Sequence, residues 1–196
     1  AMLASPAMAG STKLVTTWKN PKAVPVDRAS QKVAVFVVAK EQTMRLGTEE
    51  AFAAEMRKQG LNCIAGNTVV PFEIATDKEK SKEMLKNAGL TMAIMVRVLG
   101  TDKNVYATQG DVVYSGAYYS SFNGYWEYSW PAAYMPAYLI TDTIVSLETV
   151  IYSIDQDLPL WAGQSQTKNP KDIDQIVRDL RKSVGKELKK SGLIKK

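Results

Sequence analysis

The sequence predicts an α/β (α+β) fold in which a mixed β-sheet has helices packed on it. Three observations predict this fold. Apolar runs rich in β-branched residues recur along the chain, the first three alternate with helical patterns, and the last two form a hairpin before a final helix. The element order is β-α-β-α-β, a long aromatic insertion, and then β-β-α. We expect one domain over residues 32–194 with its insertion at 112–142, after an extended lead-in at 10–31.

The first predicted strand is the run KVAVFVVA at residues 32–39. A continuous apolar run indicates a strand that is buried on both faces of the sheet. The next helix is expected to begin after Thr48 as its cap, because two glutamates follow in the first turn, and to end at Gly60. A short strand is predicted at 61–65.

A second helix and a third strand follow. Asp77 is expected to cap the helix and Gly89 to end it, with lysines on the outer face. Residues 91–99 form the third apolar strand, in which Arg97 is the one charge. A charge within a central strand requires a partner or a place at the strand's solvated end.

The last three elements are a hairpin and a helix. Residues 144–154 and 158–167 are predicted strands joined by the short turn DQD. The final helix is expected to begin at Asn169, as the cap, with Pro170 in its first position, and to stop at Gly192.

The insertion holds ten of the chain's seventeen aromatic residues within positions 114–138. Between Asp111 and Asp142 the only charged side chain is Glu127. Because such rings are costly to leave in water, a folded protein buries them or uses them to contact a partner. The residues predicted to form a contact surface are Tyr118, Tyr119, Phe122, Tyr125, Trp126, Tyr128, Trp130 and Tyr134.

Four interpretations of this segment are open. It forms a self-packed lid or dimer contact without further function, a docking surface for a protein partner or a second copy, a platform for stacking sugar rings, or two membrane-spanning strands. Two prolines and the lack of strict alternation argue against membrane strands. No nucleic-acid-binding motif occurs, so we expect no nucleic-acid partner.

Composition removes several kinds of chemistry. The chain has no histidine, which excludes histidine general bases, Ser-His-Asp triads and the usual zinc sites. Cys63 is the only cysteine and lies in an apolar pattern, so we interpret it as a small buried residue. Phosphate-binding glycine loops are absent. The sequence therefore predicts a protein that is not an enzyme and has no cofactor or metal site.

The acidic residues suggest one structural hypothesis and one catalytic alternative. Arg97 and Glu148 are lone charges in apolar strands, so we expect a structural ion pair between them across the sheet. A pair of carboxylates in a cleft would instead make a hydrolase, which is the third-ranked function. Its candidate acids are Glu127, Asp142, Glu148, Asp155 and Asp157, and no motif surrounds them.

Charge and the N-terminus bear on location. The net charge of +5 comes largely from lysines at 78–86 and at the C-terminus, which either form a solvated face or attract an anionic surface. Ala7-Met8-Ala9 fits a signal-peptidase site, so we interpret residues 1–9 as a signal-peptide remnant. No apolar stretch reaches the roughly 18 residues of a spanning helix.

Two groups of motifs across residues 15–194 are shared with a known family. The first contains WKNP and KVAVFVVA; the second contains the Gly/Tyr/Trp-rich insertion, LETVIYSI and LPLWAGQSQTKNP. On these motifs the chain resembles a family of small bacterial envelope proteins of uncharacterised function, many of them lipoproteins. Its architecture is similar to that of the N-terminal domain of TolB and the curli secretion lipoprotein.

The resemblance implies a protein of the Gram-negative envelope, in the periplasm or at the outer membrane, and supplies no catalytic residues. The residue directly after the expected cleavage site is Gly10 and not a cysteine, a departure from the lipoprotein members that leaves membrane association open. The expected function is therefore a non-enzymatic binding or assembly component that uses the aromatic segment as its contact surface. The alternative is a module that binds glycan or peptidoglycan of the cell wall.

Overall fold

The computed structural model describes residues 12–108 and 138–194, which form a six-stranded mixed sheet and three α-helices. The predicted fold class is confirmed. The elements in chain order are β1 (Thr12–Lys19), β2 (Lys32–Val38), α1 (Gln42–Arg57), β3 (Asn62–Ala65), α2 (Lys78–Asn87), β4 (Met92–Thr108), β5 (Tyr138–Ser153), β6 (Leu158–Lys168) and α3 (Ile173–Lys190).

The sheet has the order β1-β6-β5-β4-β2-β3. β2 runs parallel to both β3 and β4, while β6 runs antiparallel to both β1 and β5. The parallel strands follow from the two helical crossovers, and the antiparallel ones from the hairpin. β4 and β5 are consequently the two central strands of the sheet.

The chain divides into two compact units. The first contains residues 1–102 and 144–196, and the second contains residues 103–143. β4 and β5 each contribute residues to both units. The hydrophobic cores and the cavity discussed below are formed by described residues of the first unit.

β2 is buried on both faces, as its apolar run predicts. Alternation along the strand sends Val33, Val35 and Val37 into one core, which contains Phe52 of α1 and Leu180 of α3. The intervening Ala34 and Phe36 enter a second core on the opposite face, against which Met84 and Leu85 of α2 pack. The sheet therefore has helices on both faces.

Within the predicted extended lead-in over residues 10–31, Thr12–Lys19 forms the edge strand β1, which the sequence pattern did not identify as a strand. It pairs with β6 from Thr12 opposite Thr167 to Lys19 opposite Trp161. Most of its side chains are exposed. An edge strand with a solvated outer face needs no apolar run, so its sequence pattern was too polar to identify it.

The predicted start of α1 is wrong. The helix begins at Gln42, and Thr48 lies inside it. The two acids that suggested a first turn, Glu49 and Glu50, lie in the middle of the helix, and Glu49 is completely buried. Thr48 is therefore not a cap; Glu41 occupies that position without a side-chain hydrogen bond.

Helix α3 begins later than predicted. Its cap is Asp172, whose carboxylate accepts a hydrogen bond of 2.7 Å from the Gln175 amide, and its first residue is Ile173. Asn169 precedes the helix with a φ of 48°. The prediction of Asn169 as the cap is therefore wrong: aspartate and asparagine cap helices about equally well, and Asp172 is the one that directly precedes the helix.

The other end signals are confirmed. The Asp77 carboxylate accepts a hydrogen bond from the Lys80 amide and caps α2. Positive φ angles of 77°, 64° and 68° occur at Gly60, Gly89 and Gly192, just after the three helices. The turn between β5 and β6 passes through Asp157, which also has a positive φ.

β4 and β5 are longer than the predicted strands at 91–99 and 144–154. β4 continues to Thr108 and β5 begins at Tyr138. The polar residues 101–104 interrupt the apolar pattern in β4. Backbone pairing tolerates polar side chains, whereas the prediction relied on runs of apolar residues. The predicted strands therefore ended where the apolar runs end.

Gly163 and Trp161 provide a test of packing in β6. Trp161 is 1% exposed, and a Cβ added at Gly163 would overlap its indole ring. We expect Gly163→Ala to lower the free energy of unfolding by about 1–3 kcal/mol, as overpacking does. Denaturant unfolding with circular dichroism measures the change.

Gly47→Ala is the matched control for that substitution. Gly47 lies within α1, and an added Cβ there meets nothing within 4 Å. The higher helix propensity of alanine is expected to raise stability by about 0.5–1 kcal/mol. Equal stability of Gly163→Ala and the parent protein would show that the indole yields to the methyl group.

Candidate functional site

The predicted aromatic contact surface lies outside the described residues. All eight of its predicted members fall within positions 109–137: Tyr118, Tyr119, Phe122, Tyr125, Trp126, Tyr128, Trp130 and Tyr134. What the structure describes is how the chain enters and leaves this segment. β4 leads into it, ending at Thr108, and β5 follows it, starting at Tyr138.

Exposed apolar side chains occur along β4 on the way to this segment. Val98 is 46% exposed, Leu99 is 40% exposed and Val105 is 59% exposed. Single exposed apolar residues are common on protein surfaces. Here, however, three of them occur on β4, the strand that leads into the aromatic segment. Exposed apolar side chains therefore begin in the sequence before the aromatic residues do.

The structure brings Arg97 and Glu148 together across neighbouring strands. The Arg97 Nε and Nη2 atoms donate hydrogen bonds of 3.0 and 2.8 Å to Glu148 Oε2. The Arg97 side chain is 52% exposed and the Glu148 side chain 29%. Since water screens charges at such a position, we expect the pair to contribute little to stability.

The remaining candidate acids do not form a described catalytic arrangement. Glu127 lies outside the described residues, and Asp142 is a buried residue of the second unit. Asp155 and Asp157 are exposed in the turn after β5. Asp157 accepts a hydrogen bond of 3.0 Å from the Lys82 ammonium group, and this bond raises the pKa of Lys82.

Within residues 12–108 and 138–194, no three His, Cys, Asp or Glu side chains are grouped so as to hold a metal ion. None of the helices in these ranges combines the length and apolar character needed to cross a bilayer.

A buried ionic network, which sequence reasoning missed, surrounds Glu49 in α1. Glu49 Oε1 accepts hydrogen bonds from the Val37 amide at 3.0 Å and from Arg45 Nε at 2.8 Å. Its Oε2 accepts two more from Asn67, from the backbone amide at 2.6 Å and from Nδ2 at 2.9 Å. The carboxylate thus joins α1 to the end of β2 and to the turn after β3.

Arg45 completes this network. Its Nη2 donates a hydrogen bond of 2.8 Å to the Val70 carbonyl, and its Cζ lies 6.0 Å from the centre of the Phe72 ring. Arg45 is only 4% exposed, and its Nη1 has no hydrogen-bond partner in the described part of the chain. With four donors on its carboxylate, Glu49 is a structural acceptor rather than a catalytic base.

One signal in the sequence pointed to this network. Arg45 and Glu49 are four residues apart, which places both on one face of a helix that starts early enough to include them. The donors from Val37 and Asn67 come from elsewhere in the fold, so local spacing carries no information about them.

Cys63 is a small buried residue, as predicted. It is 1% exposed in β3, and burial raises the pKa of its thiol to about 11, against an opposing effect of Arg57. Only a very small fraction of such a thiol ionises at neutral pH. Cys63 is therefore a packing residue and not a nucleophile.

Substitution of Glu49 tests the buried network. Glu49→Gln keeps the side chain's shape but leaves the Arg45 guanidinium without its counter-charge, so we expect a loss of about 3–5 kcal/mol in the free energy of unfolding. Denaturant unfolding at neutral pH gives the value.

The control is Glu50→Gln on the same helix. The Glu50 side chain is 58% exposed in its ion pair with Arg57, so its substitution should cost no more than about 1 kcal/mol. Similar losses for the two variants would contradict the structural role given to Glu49.

A double-mutant cycle tests the Arg97–Glu148 pair. We expect Arg97→Met and Glu148→Gln to show a coupling energy of about 0.2–1 kcal/mol that falls further at high salt, because both side chains reach solvent. Strictly additive losses would show that the two charges do not interact, and a coupling of several kcal/mol would show that water does not screen them.

No family model matches this chain, and no curated protein matches its sequence. Among solved structures it is similar to the PelC dodecamer from Paraburkholderia phytofirmans, with a TM-score of 0.48, 10% identity and coverage of 89% of this chain and 94% of that chain. A single-substitution variant of that dodecamer has a TM-score of 0.47 and 9% identity over 89% and 95% of the two chains.

The chain is also similar to lipoprotein GNA1162 from Neisseria meningitidis. That similarity has a TM-score of 0.39 and 11% identity, and it covers 81% of this chain and 97% of the lipoprotein. Similarity at this level transfers neither a site nor an activity to this chain.

Proposed function

We propose that this chain is a non-enzymatic component of the bacterial envelope, exported to the periplasm or the outer membrane, whose aromatic segment at 114–138 binds a protein. The protein bound is a second copy of the chain or another envelope protein. The observation that carries the proposal is the concentration of ten aromatic residues in a segment where Glu127 is the only charge.

The position of the segment in the fold supports a contact role. It connects β4 to β5, the two central strands of a sheet that has helices on both faces. Binding residues are commonly placed on connections that a rigid scaffold supports. The exposed apolar residues of β4 also favour a contact role for this part of the chain.

The residue types of the segment also suit protein contacts. Tyrosine and tryptophan combine a large apolar ring with a polar atom and lose little conformational freedom when they are fixed, which explains why they dominate binding energy at interfaces. The segment contains eight of the chain's thirteen tyrosine and tryptophan residues between Tyr118 and Tyr138. Charged side chains, which are depleted at interface centres, are nearly absent from it.

The case for export comes from the sequence. The pattern Ala7-Met8-Ala9 fits a signal-peptidase site before Gly10, and the motifs described above resemble those of an envelope family. A single buried cysteine makes no disulfide within the chain, so the fold does not depend on the oxidising conditions of the periplasm.

Site-specific photo-crosslinking tests the contact role in cells. We expect a photoreactive phenylalanine analogue in place of Tyr125, Trp126 or Trp130 to give discrete crosslinked protein bands after irradiation of bacteria that export the chain. Mass spectrometry of each band identifies either a second copy of the chain or a different protein.

The same analogue in place of Tyr152 is the control. Tyr152 is 38% exposed on β5 and lies outside the segment, so it should give no discrete band. Absence of crosslinks at all three segment positions, or the same bands from Tyr152, would count against the segment as the contact surface.

A further inference from the structure

A cavity of about 430 Å³ lies between one face of the sheet and helices α1 and α3. Its volume falls in the range of about 300–1,000 Å³ that is typical of small-molecule sites. Residues of β2, β4 and β5 line one side and residues of the two helices line the other. Apolar side chains in this lining include Val33, Ile94 and Ile151 from the strands and Phe52, Met56 and Val184 from the helices.

One polar side chain in the lining has no partner. Thr149 of β5 is 4% exposed, and its Oγ1 atom makes no hydrogen bond within the described residues. A buried hydroxyl without a partner is unfavourable and uncommon in folded proteins. A molecule that carries a hydrogen-bonding atom as well as apolar surface would supply the partner that this hydroxyl lacks.

The charged residues that line the cavity all have the same sign. Five basic residues line it and no acidic residue does: Arg28, Arg181, Lys182, Lys186 and Lys189. Two of these five have partners already. Arg28 donates a hydrogen bond to the Gln59 carbonyl at 3.2 Å, and Arg181 binds Glu55 of α1 at 2.8 Å.

The three lysines are the residues available to a ligand. Lys182, Lys186 and Lys189 are four and three residues apart in α3, so they lie on one face of the helix. They are exposed, and none has an ion-pair partner among the residues the structure describes. A row of free ammonium groups beside an apolar cavity attracts a molecule with an anionic end.

We propose that this cavity binds one single-chain amphiphile, with its apolar tail in the cavity and its anionic head group at the three lysines. The head group is a carboxylate or a phosphate, since ammonium groups bind both. Every lining residue belongs to the first unit, so binding here is expected whether or not residues 114–138 contact a partner.

Calorimetric titration of the full chain tests the site with defined probes. Laurate, dodecyl phosphate, dodecanol and dodecyltrimethylammonium share one tail and differ only in the head group, and each is used at concentrations where it is monomeric. We expect laurate or dodecyl phosphate to bind once per chain and to compete for one site. The tighter of the two identifies the head group as a carboxylate or a phosphate.

A substitution that fills the cavity tests its location. Gly185 lines the cavity, and an added Cβ there meets nothing within 4 Å, so the ring of Gly185→Phe is expected to occupy the space and abolish binding. Gly47→Phe is the matched control, because Gly47 also has open space around it but does not line the cavity. If Gly185→Phe changes the circular dichroism spectrum, Gly185→Leu places a smaller group at the same position.

Neutralising the lysines tests the head group. Replacement of Lys182, Lys186 and Lys189 by glutamine should weaken binding of the anionic probes by about tenfold and leave dodecanol binding unchanged. The control variant replaces Lys13, Lys22 and Lys171, three exposed lysines that do not line the cavity, and has the same net charge.

Three results would overturn the proposal. The first is that no anionic probe binds, which would leave the cavity as loose packing. The second is that Gly185→Phe and Gly185→Leu bind as well as the parent protein, which would place the site elsewhere. The third is that dodecyltrimethylammonium binds as tightly as laurate, which would remove the role of the lysines.

Discussion

The carboxylate of Glu49 is the constraint on which the parallel half of the sheet depends. It has no contact with water, and its four hydrogen bonds come from α1, from the end of β2 and from the turn that follows β3. Burial of a carboxylate is unfavourable unless the group is paired and hydrogen-bonded, so the loss of these donors would destabilise this arrangement. The positions of the first helix and of two strands are therefore linked through one side chain, and Arg45 extends the link to the Val70 carbonyl.

The sequence predicted the elements whose signals are local. The apolar run of β2, the Asp77 cap, the β5–β6 turn and the glycines after the helices each depend on a few neighbouring residues, and each is present. β1 was missed because it has no continuous apolar run and its pairing partner is about 150 residues away. The Glu49 network was missed because Val37 and Asn67 reach it only through the tertiary fold, while the adjacent acids resembled a helix start.

This chain has two proposed binding regions, which differ in their charge and in the kind of partner they suit. The aromatic segment between β4 and β5 is nearly uncharged and suits a protein surface. The cavity between the sheet, α1 and α3 is apolar with a basic rim and suits a small anionic amphiphile. The cavity depends on α1 and β2 keeping their places, and Glu49 is the residue that fixes α1 to β2.

If the aromatic segment serves protein contact, as we propose, the remaining chain is expected to fold without it. The most direct test is the free energy of unfolding of the protein with residues 114–138 replaced by a short Gly/Ser linker, compared with that of the parent chain under conditions where both are monomeric. Our account predicts equal values within about 1 kcal/mol, because substitutions away from the core have small effects. A variant that fails to fold, or that loses several kcal/mol, would show instead that the aromatic rings belong to the protein's own core.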